Sequence, residues 1–473
     1  MDLSACAGTG LETSPVRCAA ESLDETGVMK TGKKYSRILL CAAGCLVSAS
    51  LLANGDTLSV WTMEDCMRFA SENSYAVKKQ RYQTASYQAE RDQAIASFFP
   101  SVNASVGAQY NFGRSIDPVT NTYNNVQSFY NSYGLSASLP LFCGGRYVKQ
   151  WMLASSNLQM GRNEIQRLED EVAMNTMQAF ADAVYYRETA RLSALKLVES
   201  ERNLLKVRRE AELGLRGKAD IAQFESQVAA DDYDLTRQQN LYRSALLTLK
   251  QVMNFPLNRT LELDTTLPEI SLVATESDAE SIFDRAKTSN PSALQAKYRF
   301  RAAQLDYKMR IGALFPDIYV QAGVNTDYID GYTQSFKKQF RNNRGEYVAV
   351  GMNIPIFDGL SRNTALRKSR NAMFAAREDE NESLRQLHDA IEQAVMDCNG
   401  YAKEALQMQR KVESDSIAYR IALRQYEEGL VTPLDVQTYA NTLLQSQAEY
   451  LQRVWLLDMR RRLVDYYRYG SLY

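Results

Sequence analysis

The stretch SVNASVGAQYNF, residues 101–112, changes polarity at every position. Val102, Ala104, Val106, Ala108, Tyr110 and Phe112 are apolar, and Ser101, Asn103, Ser105, Gly107, Gln109 and Asn111 fall between them. A period of two predicts a strand with one apolar and one polar face. Further strands are predicted near 129–141, 318–328 and 347–356; in the last, Val348, Val350, Met352, Ile354 and Ile356 share a face. Almost everything else reads as helix: 62–97, 146–213, 219–254, 278–313, 361–428 and 433–469. The two longest stretches contain no proline, and Gly161 and Gly400 are their only interior glycines. At 1.5 Å per residue each would run roughly 100 Å. A single globular core needs no helix of that length, so coiled-coil-like packing is expected.

The pattern occurs twice. SLPLFCGGR (138–146) and NIPIFDGLS (353–361) match at Pro140/Pro355, Phe142/Phe357 and Gly144/Gly359, each pair 215 residues apart. ELGLRGKADIAQF (212–224) and EEGLVTPLDVQTY (427–439) match at Gly214/Gly429, Leu215/Leu430 and Asp220/Asp435, at the same offset. FFPSVNASVG (98–107) answers LFPDIYVQAG (314–323), one residue out of step. Two copies of one unit, 54–260 and 261–473, account for this. Each copy reads helix, strand, loop, strand, long helix, helix.

Four strands raise a question of solvent. An open four-stranded sheet cannot cross lipid, because its edges leave backbone groups unpaired. Several chains, each giving four strands, would close a barrel whose apolar face meets lipid and whose polar face lines a lumen. A small hairpin packed on helices in water is the alternative. Tyr110, Phe112, Phe129, Tyr130, Tyr133, Tyr328 and Tyr332 gather towards the hairpin tips, as in the aromatic girdle of a membrane barrel.

Near the start, Lys30, Lys33, Lys34 and Arg37 precede an apolar run from Ile38 to Ala53, closed by Asn54-Gly55-Asp56. Residues 1–53 therefore read as an upstream extension and a secretory signal peptide, with Met29 as the start that fits it. A lipoprotein signal ending at Cys45 is the rival reading. After the leader only Cys66, Cys143 and Cys398 remain, which form no disulfide framework and no CxxC pair. Lys and Arg total 55 against 56 Asp and Glu, so no basic face for nucleic acid is suggested.

The doubled helix–hairpin–long-helix unit, together with an export leader, resembles the TolC-like outer-membrane efflux proteins, or outer-membrane factors. The resemblance runs from about Trp61 to the C-terminus. It is carried by the strand exits at Pro140, Gly144, Pro355 and Gly359 and by YEEGLVTPLDVQTYANTLLQSQAEYL (426–451). It implies a mostly α protein with a membrane β-barrel: a homotrimer with a twelve-stranded barrel in outer-membrane lipid above a twelve-helix periplasmic tunnel. It also implies a periplasmic adaptor and an inner-membrane pump of the RND, ABC or MFS type. The expected function is the exit duct of a tripartite efflux system. A type I protein-secretion duct and a pore-less periplasmic coiled-coil scaffold are the alternatives.

The tunnel's lower end should lie where the helices turn back, with Gly214 and Gly429 as C-caps. The resemblance places a gate there, in which Asp220 matches the aspartate of the first turn and Tyr426 the tyrosine before the second. Asp435 matches one of two ring aspartates. Thr438 stands where the other would sit, and Val431 where the family's best-known member has arginine; Arg216, 215 residues earlier, is the candidate substitute. Read alone, each aspartate could simply complement a helix N-terminus.

Catalytic residues, cofactors and metal ligands are not expected. His388 is the only histidine and sits in charged helical sequence, as a solvated surface residue would. No HExxH, GxSxG, P-loop or GxGxxG occurs in a suitable context. Asp231-Asp232 and Glu427-Glu428 read as solvated helix faces.

Overall fold

The computed structural model describes residues 60–116, 121–125, 128–267, 271–272, 278–330 and 334–472. The predicted leader, with Cys45 and Ala53, and the girdle residue Tyr332 lie outside them.

Chain order is β1 (Val60–Trp61), α1 (Met63–Asn73), α2 (Tyr75–Ala96), β2 (Ser101–Asn111), β3 (Arg114–Ile116), β4 (Tyr123–Asn125), β5 (Ser128–Cys143), α3 (Arg146–Glu212) and α4 (Lys218–Val252). Then come β6 (Glu262–Leu263), α5 (Ala279–Ser289), α6 (Pro291–Gly312), β7 (Asp317–Ile329), α7 (Phe336–Asn342), β8 (Gly345–Asn353), α8 (Ser361–Glu427) and α9 (Pro433–Tyr469). The repeat is exact in its longest helices: α3 and α8 have 67 residues each and start 215 residues apart. Each expected leading helix is broken in two. Ser74 and Asn290 cap the second pieces with their side chains, and Pro291 removes an N–H at the break.

The main sheet is antiparallel in the order β2-β5-β7-β8, leaving β2 and β8 as its edges. Register extends the two-faced pattern across all four strands. Val102 pairs with Ala137, Ala137 with Ala322 and Ala322 with Val348. In neighbouring rows, Ala104, Leu135 and Val324 share that face, as do Val320, Val350, Ile318 and Met352. Ser105, Gly134 and Asn325 take the opposite face, with Ser101, Ser138 and Gln321. Tyr130 pairs with Gln109 and so stands on the polar face, unlike Tyr110, Phe129, Tyr133 and Tyr328. Ile354 and Ile356 lie past the end of β8, in the loop to α8, not in the strand as expected. They join Phe98, Phe99, Leu141, Phe142, Phe315 and Phe357 as exposed apolar groups at the helix end of the sheet. The members of that second belt scatter over four chain segments, so no local sequence pattern marks it.

No helix among the described residues is long and apolar enough to cross a membrane. The helices pack side by side instead: α3 on α2, α4 and α6, and α8 on α6 and α9. Two cores lie near mid-height. One gathers Met67, Phe180, Val184, Leu249, Met253 and Trp455, and the other Ile282, Leu387, Ile391 and Leu457. The first is closed by β1 pairing in parallel with β6, which ties residues 60–61 to 262–263 across the repeat boundary. A third core, with Leu204, Val207, Phe224, Tyr419, Tyr426 and Val436, fills the far tip.

Candidate functional site

Both long helices end alike. Gly214 and Gly429 take positive φ, 74° and 75°. Leu215 N–H donates to the Glu210 carbonyl at 2.9 Å, and Leu430 N–H to that of Gln425 at 2.8 Å. Gly214 N–H reaches Ala211 O and Gly429 N–H reaches Tyr426 O, both at 3.0 Å. These are paired Schellman caps, in which glycine avoids the left-handed Cβ penalty.

The return helices also start alike. Gly217 N–H donates to Asp220 Oδ2 at 3.1 Å. Thr432 donates its N–H and its hydroxyl to Asp435 Oδ2, at 2.8 and 2.7 Å, and receives Asp435 N–H at 3.3 Å. Asp435 therefore closes a capping box with Thr432, and Asp220 supplies only half of one, since Gly217 has no side chain to return the bond; both match the simple helix-start reading. The Thr432 hydroxyl and N–H hold the Asp435 carboxyl below the usual carboxylate range.

Arg216 connects the two turns. Its Nε donates to Glu210 Oε2 at 3.0 Å and its Nη2 to the Tyr426 carbonyl at 3.3 Å. Its guanidinium lies 4.6 Å from the Tyr426 ring centroid. Tyr426 is buried against Phe224, ring centroids 5.8 Å apart, and its hydroxyl has no hydrogen-bond partner among the described residues. The tyrosine thus meets the first turn through its ring and carbonyl, not through a hydroxyl–Asp220 bond. Burial pushes its phenol up, against the opposing effect of Arg216. Val431 packs at the edge of this core, so the position equivalent to Arg216 is apolar. Thr438 is exposed and donates its hydroxyl to the Leu434 carbonyl at 2.9 Å.

One group near the tip departs from expectation. Asp231 is only 2% exposed, not solvated. Lys196 Nζ lies 2.7 Å from Asp231 Oδ1, Gln227 Nε2 donates to the same oxygen at 2.7 Å, and Lys196 also reaches Asn441. The cluster ties α3, α4 and α9. A signal existed: Phe224, Val228 and Asp231 recur at i, i+4 and i+7, which puts the carboxylate on the apolar stripe. His388 likewise has a partner, with Nε2 3.2 Å from Glu280 Oε2 and its ring edge-on to Phe283. Among the described residues no three His, Cys, Asp or Glu side chains converge as a metal site requires.

At the sheet end the two strand exits differ. Pro140 lies inside β5 at a register shift, where its missing N–H interrupts the ladder with β7. Pro355 falls two residues beyond β8, whose outer edge is unpaired. Gly144 has φ 59°, and a Cβ there would stand 2.1 Å from the Gly312 carbonyl oxygen. At Gly359, φ 65°, nothing lies within 4 Å. The next residue is glycine in the first copy and Leu360 in the second, which adopts φ 66° despite its side chain. Arg146 pairs with Asp317, fastening the start of α3 to β7.

A four-stranded amphipathic sheet on helices of roughly 100 Å, turned back at two matched tips, defines a membrane duct joined to a helical tunnel. The family model for the outer membrane efflux protein matches residues 68–254 and 282–454, so the chain belongs to the outer membrane efflux protein family. It is similar to the outer membrane efflux protein BepC of Brucella suis biovar 1, 22% identical over 87% of this chain and 86% of the relative. It is also similar to the pyoverdine export outer membrane protein OpmQ of Pseudomonas aeruginosa, 24% identical over 76% and 74%. The solved channel CusC superposes with a TM-score of 0.75 over 87% of this chain and 91% of that one, at 14% identity. The chain is an outer-membrane efflux channel with its helical tunnel in the periplasm.

Proposed function

We propose that three copies close one duct, β8 of each chain pairing with β2 of the next to make a twelve-stranded barrel over a twelve-helix tunnel. The observation that carries this reading is the sheet, with one apolar face and two unpaired edges, which lipid does not tolerate unless it is closed. The helices support it. Within the chain α3 packs on both α2 and α6, whereas α8 packs on α6 and makes no comparable contact with α2. The α3–α6 contact joins the first repeat to the second. An α8–α2 contact between chains would be its counterpart, and α2 leaves Tyr75 and Tyr82 74% and 78% exposed.

In this reading each repeat, 54–260 and 261–473, supplies half of one chain's share of barrel and tunnel. The chain performs no chemistry; a periplasmic adaptor docks at the helix turns, and an inner-membrane pump of the RND, ABC or MFS type drives transport. The cargo is a small molecule, in keeping with the pyoverdine export named for one relative. Three-fold symmetry gathers Asp220 and Asp435 around the axis as carboxylate rings that favour cations. Arg216 and Tyr426 hold the two turns together, and Thr438 makes the second ring less acidic than a paired-aspartate aperture. Native mass measurement in mild detergent should give three chains, and crosslinking in cells should recover one adaptor and one pump. A stable monomer with folded strands would overturn the closure.

A further inference from the structure

We propose that α7, between β7 and β8, is a headgroup-binding element that seats the channel on phosphate-bearing glycolipid of the outer leaflet. The helix lies at the sheet end remote from α3 and α8 and packs on the apolar face. Phe336 contacts Tyr133 and Tyr328 at 6.2 and 5.2 Å, and Phe340 contacts Tyr133 at 5.5 Å. Tyr133 pairs with Val106 and Thr326, so this aromatic patch continues the face formed by Val102, Leu135 and Val348.

The helix also completes the sheet. Pairing of β7 with β8 stops at Asn325–Gly345, leaving the β7 edge from Thr326 to Ile329 without a strand. Gln339, 3% exposed, substitutes for one: its Oε1 accepts Ile329 N–H and its Nε2 donates to Ile329 C=O, both at 3.1 Å. The Thr326 hydroxyl donates to Phe340 C=O at 2.7 Å, and Asn343 Nδ2 donates to Asp327 C=O at 2.9 Å. The backbone satisfaction that lipid demands is thus met by side chains, which fixes the orientation of α7.

That orientation turns Lys337, Lys338 and Arg341 outward. All three are exposed and have no ion pair among the described residues, whereas neighbouring Arg344 is neutralised by Glu346. Three unpaired cations above half-exposed phenylalanines (46% and 42%) match an interface with acyl chains below and anionic headgroups at the level of the charges. Continuity with the lipid-facing sheet and charge complementarity together select a lipid phosphate.

The inference rests on the apolar face meeting lipid, and its test is independent of the stoichiometry of the channel. Full-length protein in neutral detergent is titrated with lipid A and with its monophosphorylated form, which has the same acyl chains, and adducts are counted by native mass spectrometry. Lipid A should bind more tightly than the monophosphorylated form. K337Q/K338Q/R341Q should weaken it by about 100-fold, at roughly fivefold per charge. K337R/K338R should retain binding, and single-channel conductance should not change. Equal binding by wild type and the triple variant would overturn the proposal. So would a change of oligomeric state in the triple variant in neutral detergent, because another copy of the chain would then be the occupant.

Discussion

Arginine at Val350 and at Ala349 tests the two faces of the sheet at one height. Val350 is the sixth of nine residues in β8, pairs with Val320, and is 71% exposed in the single chain. Nine residues at about 3.4 Å, tilted roughly 40°, give about 23 Å of height, close to the ~25 Å apolar band of an outer-membrane barrel. Val350 then sits about 8 Å inside the periplasmic end of the strand. An arginine facing lipid costs about 2–4 kcal/mol near the midplane and less near an interface. Taking roughly 2 kcal/mol for this depth, the proposed trimer would lose about 6 kcal/mol, enough to depopulate assembled barrel. Ala349 pairs with Gln321 on the polar face, where arginine remains hydrated. The assay is the fraction of each variant in outer membranes, with folding into phosphatidylcholine vesicles as the in vitro measure. V350R should fail at both and A349R should resemble wild type. Equal insertion of the two would refute the assignment of faces.

Leu360→Gly should stabilise the junction into α8 by about 0.5–1 kcal/mol, since relief of left-handed strain exceeds the entropy of glycine; a lower midpoint in urea would contradict this. Arg216→Ala removes contacts worth roughly 1–2 kcal/mol at the tip and should raise single-channel conductance. Tyr426→Phe, which loses only an unpartnered hydroxyl, should leave conductance unchanged; a rise would show that the hydroxyl bonds elsewhere in the assembly. Asp435→Ala should reduce cation preference and block by multivalent cations in planar-bilayer recordings. Because folding lowers the Asp435 pKa, its contribution to the turn is present above the usual carboxylate range and lost as pH falls through the lowered value. The part of the cation preference that Asp435 supplies should therefore fade only as pH falls through that lowered range.

Elements governed by local rules could be read directly from the chain. The positions of α3 and α8, the glycines that end them, the four strands and the 215-residue repeat all follow from periodicity, capping chemistry and spacing. Those signals involve neighbours within a few residues, so they survive without a fold. The breaks at Ser74 and Asn290 were also local, but they were hidden inside otherwise helical composition. What required the tertiary structure was everything that depends on which segments meet. Strand register made Tyr130 face the polar side and ended β8 before Ile354. Helix packing buried Asp231 beside Lys196 and carried Arg216 across 210 residues of chain to the Tyr426 carbonyl. Gln339 reads as an ordinary polar residue of a short loop helix, and only the missing neighbour of β7 gives its amide a purpose. A buried charge or an unpaired edge is settled by desolvation, and desolvation belongs to the assembled molecule, not to any stretch of its sequence.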